Sequence, residues 1–565
     1  MRGLCWGRLS TALIASAGLL AGPCWAADPT GPKIQRRQAI QLEQDLARQQ
    51  TEADVLSPSP EITDPSQVVV SETPCFTLTA ISWRSAEPFD WLVKQSESFI
   101  GQCLGATSLK RLRDHLTLSL LARGYVTSRV VFPQQNLSSG ELVIELIPGR
   151  IRKIEHVGQP IGAVWFPLST ASGDLANQRD LDQTLENFRR LPSQADIRFE
   201  LVPGEALGET DLKLVHGHGG RVRGSIALDN GGNRSTGKAQ LSGSLVIDSP
   251  FWMYDSLAVT YNTNANARSQ TQSSRGSGIQ WNAPIGYAAL FLGANKSSYK
   301  QTVAGFNAPI EYTGDSTAYE GGGALTLYRS GRYKGQSQLK VFRKVSRNYI
   351  DGVEISVQAR DLAGAEFSHT HKHFIGDWTL SATGTLRASV PSRSKNVGII
   401  VGEPEWDGHY RLGVLNLAAG RSFKVLSQAW RIQSQLRWQH TSTSLPQNEY
   451  VSIGGRYSIR GFDGEQTLSS ESGGYWRNEL SLTLPPSQTV PGFHETYLAL
   501  DAGRITGAQS AGLPQKSLIG TAIGLRGSAG RVGYDLSIGW PLAKPDSLVT
   551  ARPAIAAYIS VDFST

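Results

Sequence analysis

The chain has 565 residues, of which 59 are Gly, two are Met and 18% are charged, and its formal net charge is +7. Loss of Arg2 and Arg8 with an N-terminal signal would take this charge from +7 to +5, a modest excess that says little about partners, and no nucleic-acid partner is predicted. After residue 26 no apolar run approaches the roughly 18 residues that a membrane-spanning helix needs, which excludes a helical membrane protein.

Residues 1–26 predict a secretory signal peptide. Two arginines near the N-terminus precede a short apolar run from Leu9 to Leu20, and the small residues Ala26 and Ala27 follow it. The run is too short to span a membrane, so we expect its removal from an exported protein.

Two cysteines remain in the predicted mature chain. Cys5 and Cys24 lie within the signal, and Pro23 fits poorly with a lipoprotein anchor at Cys24. An even pair in an oxidising compartment predicts a disulfide between Cys75 and Cys103, with two free buried thiols as the alternative. Closing a loop of that length would stabilise the fold by roughly 3–4 kcal/mol. The cysteine spacing does not indicate a metal site.

Residues 27–74 predict a helix and a linker. The stretch from Lys33 to Glu52 is rich in Gln, Glu, Arg and Ala, but its apolar positions are too sparse for a strong core face. The run from Leu56 to Glu61 contains alternating Ser and Pro, which is typical of a flexible linker. A detachable helix on a tether is the functional interpretation, and a disordered N-terminus is the alternative.

Residues 75–150 and 151–218 predict two small α+β modules in tandem. The elements of the first module are a strand at Phe76–Ile81, helices at Pro88–Gln102 and Ser108–Arg123, and strands at Tyr125–Pro133 and Glu141–Pro148. Ser108 is the predicted N-terminal cap of the second helix. The second module repeats the scheme with a strand at Arg150–Val157, a helix at Asn177–Leu191, and strands at Ile197–Pro203 and Thr210–His216. Gly217–Gly220 then predicts a hinge.

From about Gly219 to Thr565 the hydrophobic period becomes two, which is typical of strands with one apolar face. Aromatic residues recur on these apolar faces, as expected at membrane interfaces; they are Tyr261, Trp378, Trp438, Trp476, Tyr534 and Trp540. In lipid, only a closed barrel leaves no strand edge unpaired. At about ten residues per strand plus loops, residues 219–565 predict roughly 16 antiparallel transmembrane strands.

Two further patterns are interpreted as structural. Gly232–Ala239 resembles a phosphate-binding loop, but Ala239 stands where a Mg²⁺-binding hydroxyl is needed, and the segment joins two strands, so it predicts a hairpin turn. No Gly-x-Ser-x-Gly or His-Glu-x-x-His motif occurs, so neither an enzyme nor a cofactor is predicted.

His369, His371 and His373 share one face of a predicted strand. Counting back from Phe374 and Trp378, taken as lipid-facing, places the three imidazoles toward the lumen. Three such rings could bind a metal ion, but solvated polar lining is the preferred interpretation, and no metal is predicted.

The segment Thr441–Gly474 is too long for a hairpin turn. Its glycines and the sequence Ile459–Phe462 predict a tight tip that presents Arg460. A guanidinium inside a barrel needs a carboxylate to offset its desolvation, and Asp501 faces the lumen if its two neighbouring leucines face lipid. An ordinary surface loop is the alternative.

This arrangement resembles the B components of two-partner secretion systems, the family of hemolysin activators, filamentous-hemagglutinin transporters and contact-dependent inhibition transporters. The resemblance covers nearly the whole mature chain and implies two POTRA modules, at 75–150 and 151–218, before a 16-stranded barrel. The matching stretches are Cys75-Phe-x-Leu, Arg123-Gly-Tyr-Val126, Pro148-Gly-Arg-Ile151, Leu228-Asp-Asn230 and, above all, the loop-tip motif formed by Ile459, Arg460, Gly461 and Phe462.

The resemblance also implies roles for individual residues. Arg460 would pair with Asp501 of the barrel wall, and Glu479 would be a further lumen-facing position of the same region. The helix within residues 27–74 would plug the lumen at rest. One departure from the family pattern is that the terminal aromatic, Phe563, lies two residues before the end of the chain.

The implied function is transport across the outer membrane of a Gram-negative bacterium. One large unfolded exoprotein, an adhesin, a cytolysin or a contact-dependent toxin, would pass through a monomeric barrel without ATP. The periplasmic POTRA modules would bind its N-terminal secretion domain. The alternatives are a POTRA-bearing insertase of outer-membrane proteins and a diffusion channel.

Overall fold

The computed structural model describes a defined part of the chain, namely residues 64, 67–266, 269–304, 308–394, 399–400, 403–404, 408–485 and 491–564. The predicted signal peptide and the predicted plug helix, up to residue 63, lie outside the described residues. In the part that the structure describes, no helix combines the length and apolar character that crossing a membrane requires.

The first module packs two helices against a three-stranded sheet. The helices are α1 (Asp90–Glu97) and α2 (Ala106–Ala122), and the strands are β1 (Phe76–Thr77), β2 (Ala80–Arg84), β3 (Cys103–Leu104), β4 (Arg129–Val131) and β5 (Glu141–Ile147). The sheet order is β2-β5-β4, with β2 parallel and β4 antiparallel to β5, while β1 pairs with β3. Leu112, Leu116 and Leu120 of α2 are fully buried in the core of this module.

The prediction that Ser108 caps α2 is wrong. Ser108 is buried as the third residue of the helix, and the N–H groups of Gly105, Thr107 and Ser108 donate to the Glu72 carboxylate at 3.0, 2.9 and 2.8 Å. Hydrogen bonds from Ser108, then from Thr107, lower the pKa of Glu72 to about 2. A carboxylate from a distant segment therefore satisfies the N–H groups that a local cap would have bound.

The second module follows the predicted order closely. It contains β6 (Arg150–Val157), α3 (Gln178–Arg189), β7 (Arg198–Pro203) and β8 (Glu209–Val215), with the sheet order β6-β8-β7. The predicted hinge is tied to this module, because Gly217 N–H donates to Gln194 Oε1 at 3.1 Å and Gly219 N–H donates to Ser193 O at 3.0 Å. The domain boundaries themselves stay a prediction.

Sixteen antiparallel strands close into a barrel within the described residues, as predicted, and β9 pairs with both β10 and β29. The strands are β9 (Val222–Asp229), β10 (Gln240–Asp248), β11 (Ser256–Asn264), β12 (Ser273–Ile285), β13 (Ala288–Val303), β14 (Ile310–Arg329), β15 (Tyr333–Ile350), β17 (Arg360–Ile375), β18 (Trp378–Ser389), β21 (Arg411–Val425), β22 (Gln428–His440), β25 (Ser472–Thr483), β26 (Phe493–Thr506), β27 (Ser517–Ala529), β28 (Val532–Ala543) and β29 (Ala554–Ser564). Short accessory strands are β16 (Val353–Glu354), β19 (Ile399–Ile400), β20 (Glu403–Pro404), β23 (Val451–Ile453) and β24 (Leu468–Ser470).

Successive residues of the barrel strands alternate between its outer and inner faces. On β9, Ile226 and Leu228 are exposed on the outside, whereas Ala227 and Asp229 are buried on the inside. The outer face is therefore the apolar one, which is the arrangement that lipid requires. The predicted interface residue Trp476 is likewise exposed on this outer face.

The predicted orientation of the three histidines is wrong. Ile375 pairs with Trp378 across the hairpin, so His373 lies opposite Leu380 and His371 lies opposite Ala382. Directly opposed residues point to the same side of a sheet, and Trp378 belongs to the outer face of β18. The imidazoles therefore face outward, and Phe374, from which the count began, faces the lumen.

The second module is fixed against short turns at one end of the barrel. Glu186 of α3 accepts hydrogen bonds from Arg329 and Lys334, at the ends of β14 and β15. In addition, the hydroxyl of Tyr287, in the turn between β12 and β13, donates to Asp180 at 2.6 Å. These contacts set the module below the barrel opening.

Candidate functional site

The segment between β22 and β25 folds into the barrel. It contains a 3₁₀ helix at Gln447–Glu449 and a two-stranded sheet, in which β23 pairs with β24. Between these strands the tip makes a tight turn, because the N–H groups of Ser458 and Ile459 donate to Gly455 O at 3.0 and 2.9 Å. The segment, called the inner loop below, comprises residues 441–471.

Apolar and glycine contacts seat the tip of the inner loop on the wall. Gly461 has a φ of +102°, and a Cβ atom there would lie 2.5 Å from the carbonyl oxygen of Trp540. A side chain is therefore excluded by both backbone conformation and space. The flanking residues of the tip join one buried apolar cluster, whose members are Ile453, Ile459, Phe462, Leu468, Tyr475, Ile505, Leu518 and Leu548.

Arg460 is bound to two carboxylates of the wall. Its backbone N–H and Nε donate to Asp501 Oδ2 at 2.9 and 2.8 Å, and its Nη2 donates to Oδ1 at 2.8 Å. Its Nη1 donates to Glu479, and its Nη2 also donates to Asn478 O at 3.1 Å. Asp501 is fully buried, so these bonds replace the water that its charge has lost.

The ion pairs of Arg460 continue along the lumen wall. Arg526 donates to both Glu479 and Glu495, and Arg431 donates to Glu495 at 2.8 and 3.0 Å. Three acidic and three basic side chains thus alternate on β22, β25, β26, β27 and the loop tip. Their charges balance, which offsets the cost of holding them within the barrel.

A second ionic contact holds the inner loop before its tip. Lys344 of β15 and Arg387 of β18 both donate to Glu449, whose side chain is 2% exposed. Gln439 Nε2 also donates to the Glu449 carbonyl at 2.7 Å. Arg387 is shared with Glu366 through a bond of 2.7 Å from its Nε. Two different parts of the wall therefore bind the same loop.

Cys75 and Cys103 form a disulfide far from this loop. Their Cα atoms are 5.4 Å apart, and the bond lies where Thr77 of β1 pairs with Cys103 of β3. The disulfide connects the segment that enters the first module to the start of α2. Its position indicates a structural contribution to that module, outside the lumen.

No group of three or more His, Cys, Asp or Glu side chains within the described ranges could hold a metal ion. The charged side chains of the lumen instead neutralise one another in ion pairs. The arrangement suits a channel that holds a bound loop in its interior.

A profile described as "Haemolysin secretion/activation protein ShlB/FhaC/HecB" matches residues 208–527, more than half of the chain. The chain belongs to this family. A second profile, "POTRA domain, ShlB-type", matches residues 76–149 of the first module. Within the family, the outer membrane transporter CdiB-2 of Burkholderia pseudomallei (strain 1026b) is 30% identical over 557 residues, which cover 94% of this chain and 92% of that protein.

Solved structures of the family agree with this assignment. CdiB from Escherichia coli superposes with a TM-score of 0.85 at 25% identity, covering 94% of this chain and 98% of that chain. CdiB from Acinetobacter baumannii gives a TM-score of 0.82 at 25% identity, covering 95% and 99%. The protein is thus an outer-membrane transporter of the two-partner secretion type, with its POTRA modules in the periplasm.

The sequence pattern of this family member identified Arg460, Asp501 and Glu479, which lie together in the structure. It missed Arg526 and Glu495, although alternation along β26 and β27 marks both as lumen-facing. It also missed Glu449, which no motif signals. Pairing among these side chains depends on strand register and on the path of the inner loop, and neither is visible in the sequence.

Proposed function

We propose that this transporter secretes one large exoprotein and that the inner loop gates its passage. The client enters unfolded from the periplasm, and its folding outside the cell replaces ATP as the driving force. The client belongs to the class of adhesins, cytolysins or contact-dependent toxins. A single copy of the barrel provides the conduit. The helix within residues 27–74 plugs the lumen of the barrel at rest.

The observation that supports gating is the position of the inner loop. Its tip is held inside the barrel by Arg460, and the anchor at Glu449 holds the segment before it. An extended chain with side chains needs the space that this loop occupies. Ion pairs suit a reversible closure, because water entering the lumen can solvate the separated charges one at a time.

The proposed receptor surface is the edge strand β7 of the second module. Within the described residues β7 pairs with β8 on one side, so its other backbone edge is available for a further strand. Leu201 on this strand and Leu207 beyond it are exposed. An exposed edge next to exposed leucines suits β-augmentation by the N-terminal secretion domain of the client.

The test is co-expression of the full chain with the large exoprotein encoded beside its gene, in a strain without other such transporters. We expect the exoprotein in the medium or on the cell surface only when both are present. A matched variant, Leu201→Asp/Leu207→Asp, should leave barrel assembly intact and lower secretion at least about tenfold, because it places charges on the edge where the client strand would pack. Unchanged secretion by this variant would contradict the receptor surface, and no secretion by the wild type would contradict the proposed client.

A further inference from the structure

The outward histidines form a polar cluster on a wall that is otherwise apolar. In the register of β15 and β17, Tyr333 lies opposite His373 and Ser337 lies opposite His369. The next outward pair toward the extracellular side is Leu339 and Phe367, which are 59% and 47% exposed. The apolar, lipid-facing band therefore begins where the histidines end.

Two tyrosines organise these rings. The Tyr328 hydroxyl lies 3.2 Å from His369 Nε2 and 2.8 Å from His371 Nδ1, and Ser337 Oγ lies 2.9 Å from His369 Nδ1. Tyr333 stacks on His371, with the ring centroids 6.4 Å apart. The cluster is thus an ordered array of side chains rather than three independent surface residues.

Some ring nitrogens of the cluster make no hydrogen bond to the described residues of the protein. Among the described residues, no hydrogen bond engages His371 Nε2 or either ring nitrogen of His373. A ring N–H that faces hydrocarbon without a partner is costly. These nitrogens lie at the edge of the apolar band, where the headgroup layer of the membrane can supply their hydrogen-bond partners.

The position of the cluster identifies the leaflet. His373 lies close to the two-residue turn between β17 and β18, at the same end of the barrel as the turns that contact the second module. That module is periplasmic, so the imidazoles lie at the level of the periplasmic leaflet. Its glycerophospholipids present phosphate groups at this depth, and tyrosine and tryptophan rings are typical neighbours there.

Basic side chains beside the cluster complement a phosphate. Arg421 lies in the row nearest the turn, with its guanidinium 5.8 Å from the centre of the Trp378 ring and 3.4 Å from the Asp377 carboxylate. Arg332 is exposed in the turn between β14 and β15. Its backbone carbonyl accepts a hydrogen bond from Phe374 N–H at 2.7 Å, and this bond places Arg332 next to His373.

We propose that the cluster of Tyr328, Tyr333, His369, His371 and His373 binds the phosphate of an anionic glycerophospholipid from the periplasmic leaflet.

Native mass spectrometry of the full-length protein tests this site, with palmitoyl-oleoyl phosphatidylglycerol as the probe. The variant His371→Phe/His373→Phe keeps the aromatic rings at the interface but removes their N–H donors. We expect it to retain at least about fivefold less phosphatidylglycerol than the wild type, since one lost hydrogen bond already accounts for that factor. His440→Phe, an outward position at the extracellular end of β22, should retain the lipid as the wild type does.

The fold of each variant is checked by its heat-dependent migration in denaturing gels. If the double variant does not fold, the single change His373→Phe provides the same comparison. Equal lipid retention by wild type and folded variant would overturn the proposal. Inorganic phosphate forms the second arm of the experiment, and if it displaced or replaced the lipid at equal concentration, the assignment to a lipid would be overturned in favour of a soluble anion.

Discussion

Glu449 and Arg460 belong to the same loop but bind different parts of the barrel wall. Glu449 binds Lys344 of β15 and Arg387 of β18, whereas Arg460 binds Glu479 of β25 and Asp501 of β26. Two strands, β21 and β22, separate these two sectors of the barrel. The inner loop is therefore fixed both at its tip and before it, and its movement requires both contacts to break.

The tip contact predicts a large effect for Arg460→Ala. This change leaves the fully buried Asp501 carboxylate without its guanidinium, which should cost about 3–5 kcal/mol in the free energy that holds the loop in place. We expect secretion of the client to fall at least tenfold at equal amounts of protein in the membrane, because a tip that is no longer seated on the wall lies free in the path of the client. The measurement is secreted exoprotein per folded barrel.

The outer surface offers a matched control for this change. Arg343 donates to Asp361 through Nε and Nη2 at 2.9 and 2.8 Å, a similar geometry, but the arginine side chain is 60% exposed. Solvent competes with Asp361 for this exposed guanidinium, so the pair contributes little, and Arg343→Ala should secrete normally. Equal secretion by the two variants would show that the tip contact has no special role.

The second contact predicts a different result for Glu449→Gln. The change preserves shape but leaves Lys344 and Arg387 facing a neutral amide, so their mutual repulsion should displace the outer part of the loop. We expect a higher single-channel conductance with the tip still bound. Glu354→Gln, exposed at the extracellular edge, serves as the control; a conductance equal to that control would exclude Glu449 as an anchor.

Helices and strands of the second module could be predicted because its pattern is local. The helix predicted at Asn177–Leu191 is observed at Gln178–Arg189, and Asn177 accepts the capping bond from Arg179 N–H at 2.9 Å. The outward histidines could not be oriented in the same way. Their facing depends on which residues pair across a two-residue turn, and an error of one position there moves every side chain of the strand to the other face.

The cap of α2 illustrates the same limit. The N–H groups at its start are satisfied by Glu72, whose role depends on the path of the chain before the module. The sequence around Ser108 offers a plausible local cap, so nothing in it indicates the distant carboxylate. Likewise, the tip motif predicted Arg460 and Asp501, whereas Glu449 depends on where the loop crosses the lumen.

The disulfide predicts a local loss of stability when it is removed. Replacement of both Cys75 and Cys103 by Ser should lower the free energy of unfolding of the first module by about 3–4 kcal/mol, because the unfolded chain regains the freedom of the closed loop. Trp83 and Trp91, packed against the core of this module, report the transition by fluorescence. A reductant should destabilise the wild type and leave the variant unchanged; a reductant effect of equal size on both would contradict the prediction.

The contact between Glu72 and α2 predicts a pH-dependent contribution to the first module. Because the folded state lowers the pKa of Glu72 from 4.5 to about 2, its stabilisation is fully present above pH 4.5 and is lost as the pH falls toward 2. Glu72→Gln should therefore lower the denaturant midpoint of the module at pH 7, and the difference from the wild type should shrink between pH 4.5 and 2. Glu97→Gln, on the exposed side of α1, should show no such pH-dependent difference. A Glu72→Gln effect that stays constant over this pH range would mean that the carboxylate charge does not stabilise the start of α2.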